Sequence, residues 1–448
     1  MPTHVILLAA GEGTRMQSDV PKVLHRIGGI PMFQHALNSA AALDGKRVIV
    51  VGYGGEAVSK AALAVDPDIA IARQSEQLGT AHAVVQANDA LQDAGGDTVM
   101  LFGDTPFIAP ETVVRMQKMR ADGADIVFLG FEAADPGRYG RMVTEGDTLL
   151  RIVEFEDANH QERAITLCNS GVVLADTATL LRLAAAVGND NAAGEYYLTD
   201  IPALAAAEGL VTKVATCDEA ETLGVNTRSD LAMAEGIFQR SARHAALQNG
   251  VTLEAPETVF FAADTVIGRD TVIEPNVVFG PGVTVESGAR IRAFSHLEGA
   301  HVGARAVVGP YARLRPGAEL SNDSRVGNFV EIKNAEIGDS AKVNHLSYIG
   351  DASVGARSNI GAGTITCNYD GVFKHRTEIG SDVFIGSNTM LVAPVTVGDD
   401  AMTATGGVIT NDVPAGDMAL ARARQVNKPG LARKLFSRLR AAKAAKKG

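Results

Sequence analysis

The sequence contains no tryptophan, few aromatic residues and only three cysteines. Aromatic side chains make up 5% of its 448 residues. The cysteines, Cys168, Cys217 and Cys367, are odd in number and lie far apart in the chain. This number and spacing exclude a disulfide framework and provide no zinc-binding pattern. We therefore expect reduced thiols and a reducing compartment such as the cytoplasm.

Long apolar runs are also missing. No stretch approaches the roughly 18 residues that a membrane-spanning helix requires. No basic segment precedes the first apolar stretch, VILLAA at 5–10, and no small-residue cleavage site follows it. These absences predict a cytoplasmic protein with neither a membrane span nor a signal peptide.

Acidic residues outnumber basic ones in most of the chain. The 41 Lys and Arg against 52 Asp and Glu give a formal net charge of −11. Residues 416–448 hold ten of the basic residues and a single acid, Asp417, so the rest carries 31 basic and 51 acidic residues, a net charge of −20. Such a body repels a nucleic-acid backbone, so we expect no nucleic-acid partner. Anionic ligands must then be held by local sites.

The first half of the chain alternates between two kinds of segment. Hydrophobic residues account for 46% of the chain, enough for two or three packed domains. Up to about residue 226, β-branched runs such as RVIVVG (47–52) and TVMLFGD (98–104) alternate with helical stretches such as ETVVRMQKMRADG (111–123). This alternation predicts an α/β domain with a mostly parallel sheet, which binds ligands beyond the carboxyl ends of its strands.

From Ile267 onward an apolar residue recurs at every sixth position, often followed by a small residue. A period of six fits neither an α-helix nor a plain strand, and it predicts a parallel β-helix of hexapeptide repeats, with three hexads in each triangular coil. The repeat is interrupted between Ile360 and Ile379, and loops that leave a rigid scaffold commonly serve function. The predicted inward positions are Ile267, Ile273, Phe279, Val285, Ile291, Leu297, Val302, Val308, Leu314, Leu320, Val326, Ile332, Ile337, Val343, Ile349, Val354, Ile360, Ile379, Ile385, Leu391, Val397, Thr403 and Ile409.

These patterns divide the chain into four predicted segments. They are the α/β domain over 1–227, a connecting helix over 228–250, the β-helix over 251–415 and a basic tail over 416–448. The connecting helix has one apolar side, so the alternative is a core helix of the first domain. Three interpretations of the tail stay open: a solvated segment, a helix docked on the protein assembly, and a contact with an anionic membrane surface.

The opening loop, LLAAGEGTRM at 7–16, leads from the first predicted strand into a glycine-rich turn. It matches neither the dinucleotide-binding fingerprint nor the Walker loop. Its glycines still let backbone N–H groups approach phosphate oxygens, and Arg15 and Lys22 bring positive charge nearby. A plain structural turn is the alternative. Asp104 ends a predicted strand, where it either delivers a carboxylate to the ligand crevice or caps the next helix.

Eight short motifs resemble, in order, those of the sugar-nucleotide pyrophosphorylases, also called nucleotidyltransferases. The motifs are LAAGEGTRM with PKVL (8–24), QLGTAHA (77–83), FGD (102–104), YGR (139–141), IVEF (152–155), NSG (169–171), EYYLTD (195–200) and GVNTR (224–228). With the hexapeptide repeats added, residues 4–425 resemble the bacterial family of bifunctional N-acetylglucosamine-1-phosphate uridylyltransferase / glucosamine-1-phosphate N-acetyltransferases. The resemblance implies a Rossmann-like nucleotidyltransferase domain, a left-handed β-helix, a homotrimer, and synthesis of UDP-N-acetylglucosamine for peptidoglycan and lipopolysaccharide.

For the N-terminal domain, the resemblance implies that UTP and a sugar-1-phosphate are joined with release of pyrophosphate, with Mg²⁺ as cofactor. It implies Arg15 and Lys22 as catalytic residues, and Asp104 with Asn226 as magnesium ligands. The family often has tyrosine where Phe102 stands, so only ring or backbone contacts are expected there. The residues implied to bind UTP or UDP-N-acetylglucosamine are Leu8, Ala9, Ala10, Gly11, Lys22, Gln74, Gly79, Thr80, Phe102, Gly103, Asp104, Gly140, Glu154, Asn169 and Asn226.

For the β-helix, the resemblance implies acetyl transfer from acetyl-CoA to glucosamine-1-phosphate, with His345 as general base. The alternative for a lone histidine is a solvated surface residue. Glu331 is a candidate for orienting the imidazole. The residues implied to bind glucosamine-1-phosphate are Arg315, Lys333, Tyr348 and Asn359. Those implied to bind acetyl-CoA are Ala362, Asn368, Tyr369, Ser387, Thr405 (where the family often has alanine) and Arg422, with Arg424 as the alternative to Arg422.

Two other functions remain open at the level of sequence. One is a single-activity sugar-nucleotide pyrophosphorylase whose β-helix is regulatory or trimerising. The other treats the β-helix as a scaffold or binding module. His345 and the loop at 361–378 discriminate between these options, because neither alternative needs them.

Overall fold

The computed structural model describes residues 1–191 and 193–446. Ala192, in the predicted first domain, and Lys447 and Gly448, at the end of the predicted tail, lie outside the described residues. The chain divides into two compact units. The first is Met1–Ala242 with Phe261–Ala263, and the second is Arg243–Phe260 with the chain from Asp264 onward.

The first unit is an α/β structure built around one sheet. Its strands are β1 Thr3–Ala9, β2 Arg26–Ile27, β3 Ile30–Pro31, β4 Arg47–Val51, β5 Ala70–Arg73, β6 Asp97–Phe102, β7 Ile126–Glu132, β8 Arg141–Glu145, β9 Thr148–Val153, β10 Leu167–Asp176 and β11 Thr212–Cys217. Apart from a β2–β3 hairpin, they form the order β5-β4-β1-β6-β10-β7-β11-β9-β8. Pairing is parallel from β5 to β6, whereas β10 runs antiparallel to both its neighbours.

Helices cover both faces of this sheet. The helices are α1 Met32–Asn38, α2 Gly55–Val65, α3 Thr80–Val85, α4 Asn88–Leu91, α5 Pro110–Ala121, α6 His160–Arg163, α7 Thr177–Ala186, α8 Ile201–Ala207 and α9 Arg228–Gln248. Alternate residues of β1 enter separate apolar clusters, Ile6 and Leu8 on one side and Val5 and Leu7 on the other. The central strands are therefore buried on both faces, as their continuous apolar runs predict.

Helix α9 occupies most of the segment predicted as a connector. Its residues up to Ala242 belong to the first unit, so the first unit extends beyond the predicted boundary at 227. Ala234 and Phe238 of this helix pack with Ile27 and Met32 in an apolar cluster. This half of the helix therefore behaves as a core helix of the first unit.

The second unit is a parallel β-helix of short strands. The strands are β12 Thr252–Leu253, β13 Val266–Ile267, β14 Val272–Ile273, β15 Val278–Phe279, β16 Thr284–Val285, β17 Arg290–Ile291, β18 His296–Leu297, β19 Ala300–Val302, β20 Val307–Val308, β21 Arg313–Leu314, β22 Ala318–Leu320, β23 Arg325–Asn328, β24 Glu331–Ile337, β25 Lys342–His345, β26 Tyr348–Val354, β27 Asn359–Ile360, β28 Ile365–Cys367, β29 Thr377–Ile379, β30 Phe384–Ile385, β31 Met390–Val392, β32 Val395–Val397, β33 Met402–Thr403, β34 Val408–Ile409 and β35 Met418–Ala419. One face, here called the first face, is the sheet β12-β14-β17-β20-β23-β25-β27-β30-β33-β35.

Strand register confirms the predicted coil of three hexads. On the first face, Val308 pairs with Val326, which follows it by three full hexads. Ile291 pairs with Val308, and this coil is one residue shorter, in keeping with the residue dropped from the repeat after Leu297. The predicted inward residues from Ile273 to Ile409 are at most 3% exposed. Ile267, in the early strand β13, is only half-buried, so the inward prediction holds less well there.

The interruption of the repeat is shorter than the sequence indicates. Strand β28 continues the coil, and its buried Thr366 takes an inward position opposite Leu391. The extra residues come afterwards, since Ala352 pairs with Thr377, which lies further along the chain than three hexads would place it. The segment that leaves the coil is thus 368–376, here called the inserted loop.

The tail contains a helix, α10 Leu431–Ala445. In the described part of the chain, every helix falls short of a bilayer crossing in length or in apolar character.

Val308→Ala should destabilise the second unit, because Val308 is fully buried in the β-helix and truncation leaves a cavity. We expect a loss of about 1 to 3 kcal/mol in the free energy of unfolding, measured by denaturant titration. Val266→Ala is the matched control, since Val266 is 59% exposed on an early coil and should change stability by less than about 0.5 kcal/mol. Equal losses would contradict the inward packing of the repeat.

Candidate active sites

A cavity of about 280 Å³ opens beyond the carboxyl ends of β1, β5 and β6 in the first unit. The topology explains its place, because the loops after parallel strands converge at this edge of the sheet. Ten predicted nucleotide-binding residues line it, namely Leu8, Ala9, Ala10, Gly11, Lys22, Gln74, Gly79, Thr80, Phe102 and Asp104. The cavity is also lined by residues that sequence reasoning missed, namely Val23, Gln77, Ala83 and Glu195.

Two distant motifs are joined at one wall of this cavity. The backbone of Tyr196 accepts a hydrogen bond from Ala81 N–H at 3.0 Å and donates one to the Leu78 carbonyl at 2.8 Å. Gly79 has φ of 121°, and a Cβ there would collide with the Tyr196 backbone. Thr80 Oγ1 accepts from Leu198 N–H at 3.0 Å. Glycine is thus required by both conformation and close approach.

Gln74 is a buried polar residue in the cavity wall. Its Nε2 donates to the Gly79 carbonyl at 3.2 Å and lies 3.0 Å from His82 Nδ1. These contacts fix the carboxamide in one orientation, which suits a group that reads hydrogen-bonding atoms of a ligand.

Four predicted phosphate and metal residues meet at the mouth of the cavity. Lys22 Nζ donates to an Asp104 carboxylate oxygen and, at 3.1 Å, to Asn226 Oδ1. Arg15 donates to the same Asn226 oxygen at 2.9 Å. Helix α5 begins at Pro110 with Ala109 as its N-cap, so Asp104 does not cap that helix. The strand-end position of Asp104 therefore serves this charged cluster.

The start of α9 holds Asn226 in place. The Asp230 carboxylate accepts from the N–H groups of Asn226 and Thr227, both at 2.9 Å, while Thr227 Oγ1 accepts from Asp230 N–H at 3.1 Å. Burial raises the pKa of Asp230, but these backbone donors outweigh it and the pKa lies below its usual range. This reciprocal cap fixes the residue just before the helix.

The oxygens of Asp104 and Asn226 fit a divalent cation. Both lie within hydrogen-bond distance of one positive charge, Lys22 Nζ. Few protein ligands suffice for Mg²⁺, because phosphates and water complete its octahedron. Among the described residues, no group of three or more His, Cys, Asp or Glu side chains is arranged to hold a metal by itself.

The predicted sugar-binding residues are neighbours in the structure. Asn169 N–H donates to the Gly140 carbonyl at 2.9 Å, and a Cβ on Gly140 would lie 3.5 Å from the Glu154 carboxylate. Glu154 accepts from Thr199 Oγ1 at 3.0 Å. Burial raises the pKa of Glu154, the Thr199 hydroxyl lowers it, and nearby acids raise it further, with a net upward shift.

Phe102 and Gly171 pack together between the nucleotide and sugar residues. Gly171 has φ of 87°, and a Cβ there would overlap the Phe102 ring. Asn169 Oδ1 accepts from Gly171 N–H at 2.9 Å. The ring therefore forms part of the cavity wall.

Arg141 supports this region, and sequence reasoning did not single it out. It is fully buried, donates to the carbonyls of Gly137, Tyr139 and Arg163, and lies with its guanidinium 5.8 Å from the Phe155 ring. It thereby ties the backbone just before Gly140 to the end of α6. Its place in the YGR motif is the only sequence signal for this role.

In the β-helix, the prediction that Glu331 orients His345 is wrong. His345 Nδ1 lies 2.8 Å from Asn328 Oδ1, and the imidazole is exposed. Glu331 instead pairs with Arg315 at 2.8 Å and lies 3.6 Å from Arg313. The cause is register, because Asn328 and His345 are partners on neighbouring coils of the first face.

Three predicted acetyl-CoA residues continue the column above His345. Lys342 pairs with Asn359, Asn359 with Phe384 and Phe384 with Met402. The residues three positions after these strand starts therefore occupy equivalent corners of successive coils, namely His345, Ala362, Ser387 and Thr405. Arg422 donates to the Thr405 carbonyl at 2.9 Å, which favours it over Arg424 at the end of the column.

Asp351 is a hub that the sequence did not reveal. Its buried carboxylate accepts from Lys333 Nζ at 3.1 Å, from Asn334 at 2.7 Å and from Asn368. Burial raises the pKa of Asp351, but these donors outweigh it and the pKa lies below its usual range. Asn368 is thus turned inward, whereas the next residue, Tyr369, is exposed on the inserted loop. Neither lies in the column above His345.

The predicted sugar-phosphate residues occupy two faces. Arg315, just after β21, lies one coil from Lys333 of β24, and Tyr348 of β26 lies on the next coil, whereas Asn359 of β27 lies on the first face. Lys374 of the inserted loop, which sequence reasoning missed, lies near Lys333, whose ammonium lowers the pKa of Lys374. Arg315 and Lys333 are each paired with a carboxylate, and Lys374 adds a further cation to this group.

Comparisons with known proteins match the two units of the chain to different families. Residues 5–195 match the family described as MobA-like NTP transferase domain, and residues 264–299 match bacterial transferase hexapeptide (six repeats). "Bifunctional protein GlmU" of Cereibacter sphaeroides is 65% identical over 99% of this chain and 98% of its own length. The proteins of the same name from Dinoroseobacter shibae and Ruegeria pomeroyi are 64% and 65% identical, over 100% of this chain and 99% of their own lengths.

The chain belongs to the GlmU family of bifunctional enzymes. The predicted fold class is confirmed: a nucleotidyltransferase unit precedes a hexapeptide-repeat β-helix, consistent with left-handed winding. The predicted function is confirmed as well, since membership brings uridylyltransferase and acetyltransferase activities to one chain. Membership also implies use of a divalent metal and acetyl-CoA. The match along nearly the whole chain leaves a single-activity pyrophosphorylase without support.

If Glu154 binds the sugar, KM should rise as pH falls through its raised pKa, because the ionised carboxylate accepts stronger hydrogen bonds from hydroxyl groups than the protonated acid does. Thr199→Val removes the hydroxyl that lowers this pKa, so the acid limb of the KM profile for N-acetylglucosamine-1-phosphate should move to higher pH. Steady-state kinetics across pH measure this. The acetyltransferase pH profile is the internal control. An unmoved acid limb, or one moved to lower pH, would contradict the role of the Thr199 bond.

Proposed function

We propose that the second unit transfers the acetyl group of acetyl-CoA to glucosamine-1-phosphate, and that the first unit joins the resulting N-acetylglucosamine-1-phosphate to UTP. The product is UDP-N-acetylglucosamine, a precursor of peptidoglycan and lipopolysaccharide, and pyrophosphate leaves. The observation that carries the proposal is that one chain contains two sites. The first unit has a cationic cluster at a nucleotide-sized cavity, and the β-helix has an exposed, oriented imidazole.

In the uridylyl step, a phosphate oxygen of the sugar attacks the α-phosphorus of UTP, and the bond to pyrophosphate breaks. This chemistry needs positioning and charge neutralisation rather than a covalent intermediate. Arg15 and Lys22 neutralise the triphosphate. Asp104 and Asn226 would hold Mg²⁺, which supplies charge to the same phosphates.

The remaining predicted residues of the first unit bind the two substrates. Backbone groups from Leu8 to Gly11 approach the phosphates, while Gln74, Gly79 and Thr80 receive the uracil nucleotide. The Phe102–Gly103 backbone and the Phe102 ring form the wall behind it. Gly140, Glu154 and Asn169 bind the sugar, supported by the buried Arg141.

In the acetyl step, His345 takes the proton of the attacking amine. With Nδ1–H donating to Asn328 Oδ1, the Nε2 lone pair is free to act as base. The amine nitrogen bonds to the acetyl carbon, the carbon–sulfur bond breaks, and the proton passes from His345 to the departing thiolate of CoA. A backbone N–H near Tyr369 stabilises the thioester oxyanion.

The two substrates of the second unit approach His345 from different directions. Acetyl-CoA extends along the column of Ala362, Ser387 and Thr405 towards Arg422. Three coils separate His345 from Thr405, about 14 Å at roughly 4.8 Å a coil, which suits an extended pantetheine arm. Glucosamine-1-phosphate binds to the group of Arg315, Lys333, Tyr348 and Asn359, with Asn368 and Tyr369 completing the acetyl-CoA side.

In this proposal the enzyme is a homotrimer and acts in the cytoplasm. Substrate residues lie on two faces of one β-helix, so a neighbouring copy is needed to close a site around both substrates. UTP and acetyl-CoA are cytoplasmic metabolites, and no step requires nucleic acid or a membrane span.

Asp104→Ala should lower Mg²⁺-dependent release of pyrophosphate from UTP by about 100-fold or more, because it removes the carboxylate of the cationic cluster. A coupled pyrophosphate assay measures this. Acetyl transfer should stay unchanged. Asp19→Ala, at an exposed acid near the same loop, is the control expected to keep both activities. Loss of both activities in the Asp104 variant would refute independent sites.

His345→Ala should lower acetyl transfer by roughly 100- to 10,000-fold, the usual contribution of a general base. Asn328→Ala should cost roughly 10- to 100-fold in kcat, because the ring loses its orienting partner. A thiol assay for released CoA measures both. Uridylyl transfer is the internal control, and His296→Ala tests another exposed histidine of the β-helix. Undiminished acetyl transfer in the His345 variant would end this assignment.

A further inference from the structure

The tail helix, defined as α10 Leu431–Ala445, presents an apolar side with no partner among the residues that the structure describes. Leu431, Leu435, Leu439 and Ala442 recur at steps of three or four positions, so they line one side of the helix. Phe436 extends this side. The leucines and Phe436 are 41% to 63% exposed.

Cations surround this apolar side, and acids are missing from it. Residues 418–446 contain no Asp or Glu. Arg433 and Arg440 flank the apolar side along one edge, and Lys434 and Arg438 flank it along the other, by the helical periodicity. Their long aliphatic stems let each charged group stay in water while the leucines lie against an apolar surface.

The tail helix is not supported by the rest of the described chain. Every described residue from 420 to 446 is exposed. A helix this short is marginal in water without tertiary packing. A surface that accepts the apolar side would therefore also stabilise the helix.

We propose that the tail helix docks on an anionic lipid surface. A basic amphipathic helix with leucine and phenylalanine on its apolar side lies in the plane of such an interface. Acidic headgroups complement the cations along both edges at once. Both active sites lie outside the helix, so docking holds the enzyme at the membrane without touching its chemistry.

The absence of tryptophan from the chain provides a direct probe. In full-length Phe436→Trp, the new side chain is the only tryptophan. Its emission should shift to shorter wavelength with vesicles of phosphatidylcholine and phosphatidylserine, and should not shift with phosphatidylcholine alone. An unchanged spectrum with the anionic vesicles would overturn the proposal.

Co-sedimentation with the same vesicles tests the two components of the helix separately. Leu435→Ser with Leu439→Ser keeps every charge and should lower the bound fraction at least about tenfold, because it removes apolar burial. A second variant should lower the bound fraction similarly. It changes four cations to Gln, namely Arg433, Lys434, Arg438 and Arg440. Ala441→Ser with Ala444→Ser, on the polar side, is the matched control and should bind as the parent does.

Sedimentation velocity and thermal unfolding distinguish lipid docking from docking on protein. The leucine variant should keep the parent's oligomeric state, melting temperature and both activities. If instead that variant changes the assembly or the melting temperature while the parent stays unbound to vesicles, the helix docks on the protein itself and the proposal fails. Equal vesicle binding by the leucine variant and the parent also contradicts it.

Discussion

The stacked inward side chains determine where all the remaining side chains of the β-helix lie. Each coil is held at the spacing of parallel strands, and a side chain at a given corner recurs above its counterpart one coil below. His345, Ala362, Ser387 and Thr405 are aligned for this reason alone. The imidazole of His345, at the end of a short strand of the first face, thus acquires a fixed position from packing in the prism interior, and its exposed ring is oriented by one further contact, to Asn328.

The first unit reaches comparable order by other means. Parallel strands bring Ala9, Arg73 and Phe102 to one edge, and the reciprocal cap between Thr227 and Asp230 adds Asn226 from far along the chain. Arg15 and Lys22 are cations in a body of strongly negative charge, and they are held by Asn226 and Asp104 rather than by a general field. Anionic substrates therefore bind at a small positive site, while the negative charge of the surrounding protein repels them elsewhere. This arrangement favours ligands that fit the site closely.

Sequence patterns predicted what is periodic and missed what depends on contacts between distant residues. The period of six predicted the coil and its inward side chains. It did not identify Thr366 as inward, because this residue is polar and occupies its inward position by hydrogen bonding to the Gly350 backbone. Glu331 was the expected partner of His345, yet register gives Asn328 that place. Asp351 and Arg141 carry no periodic signal, because their importance comes from burial among donors and carbonyls that lie far apart in sequence. Family motifs supplied most of the candidate site residues.

The inserted loop leaves the coil between two strands that both keep their pairing, with Thr366 opposite Leu391 and Thr377 opposite Val395. Its length is therefore not dictated by the stack beneath it. The entropy of closing a loop changes only slowly with the number of residues, so lengthening or shortening this one costs the prism little. Selection can therefore change this loop while the coils beneath it keep their structure, and under the proposed function the same loop is where new acyl donors or acceptors could be accommodated.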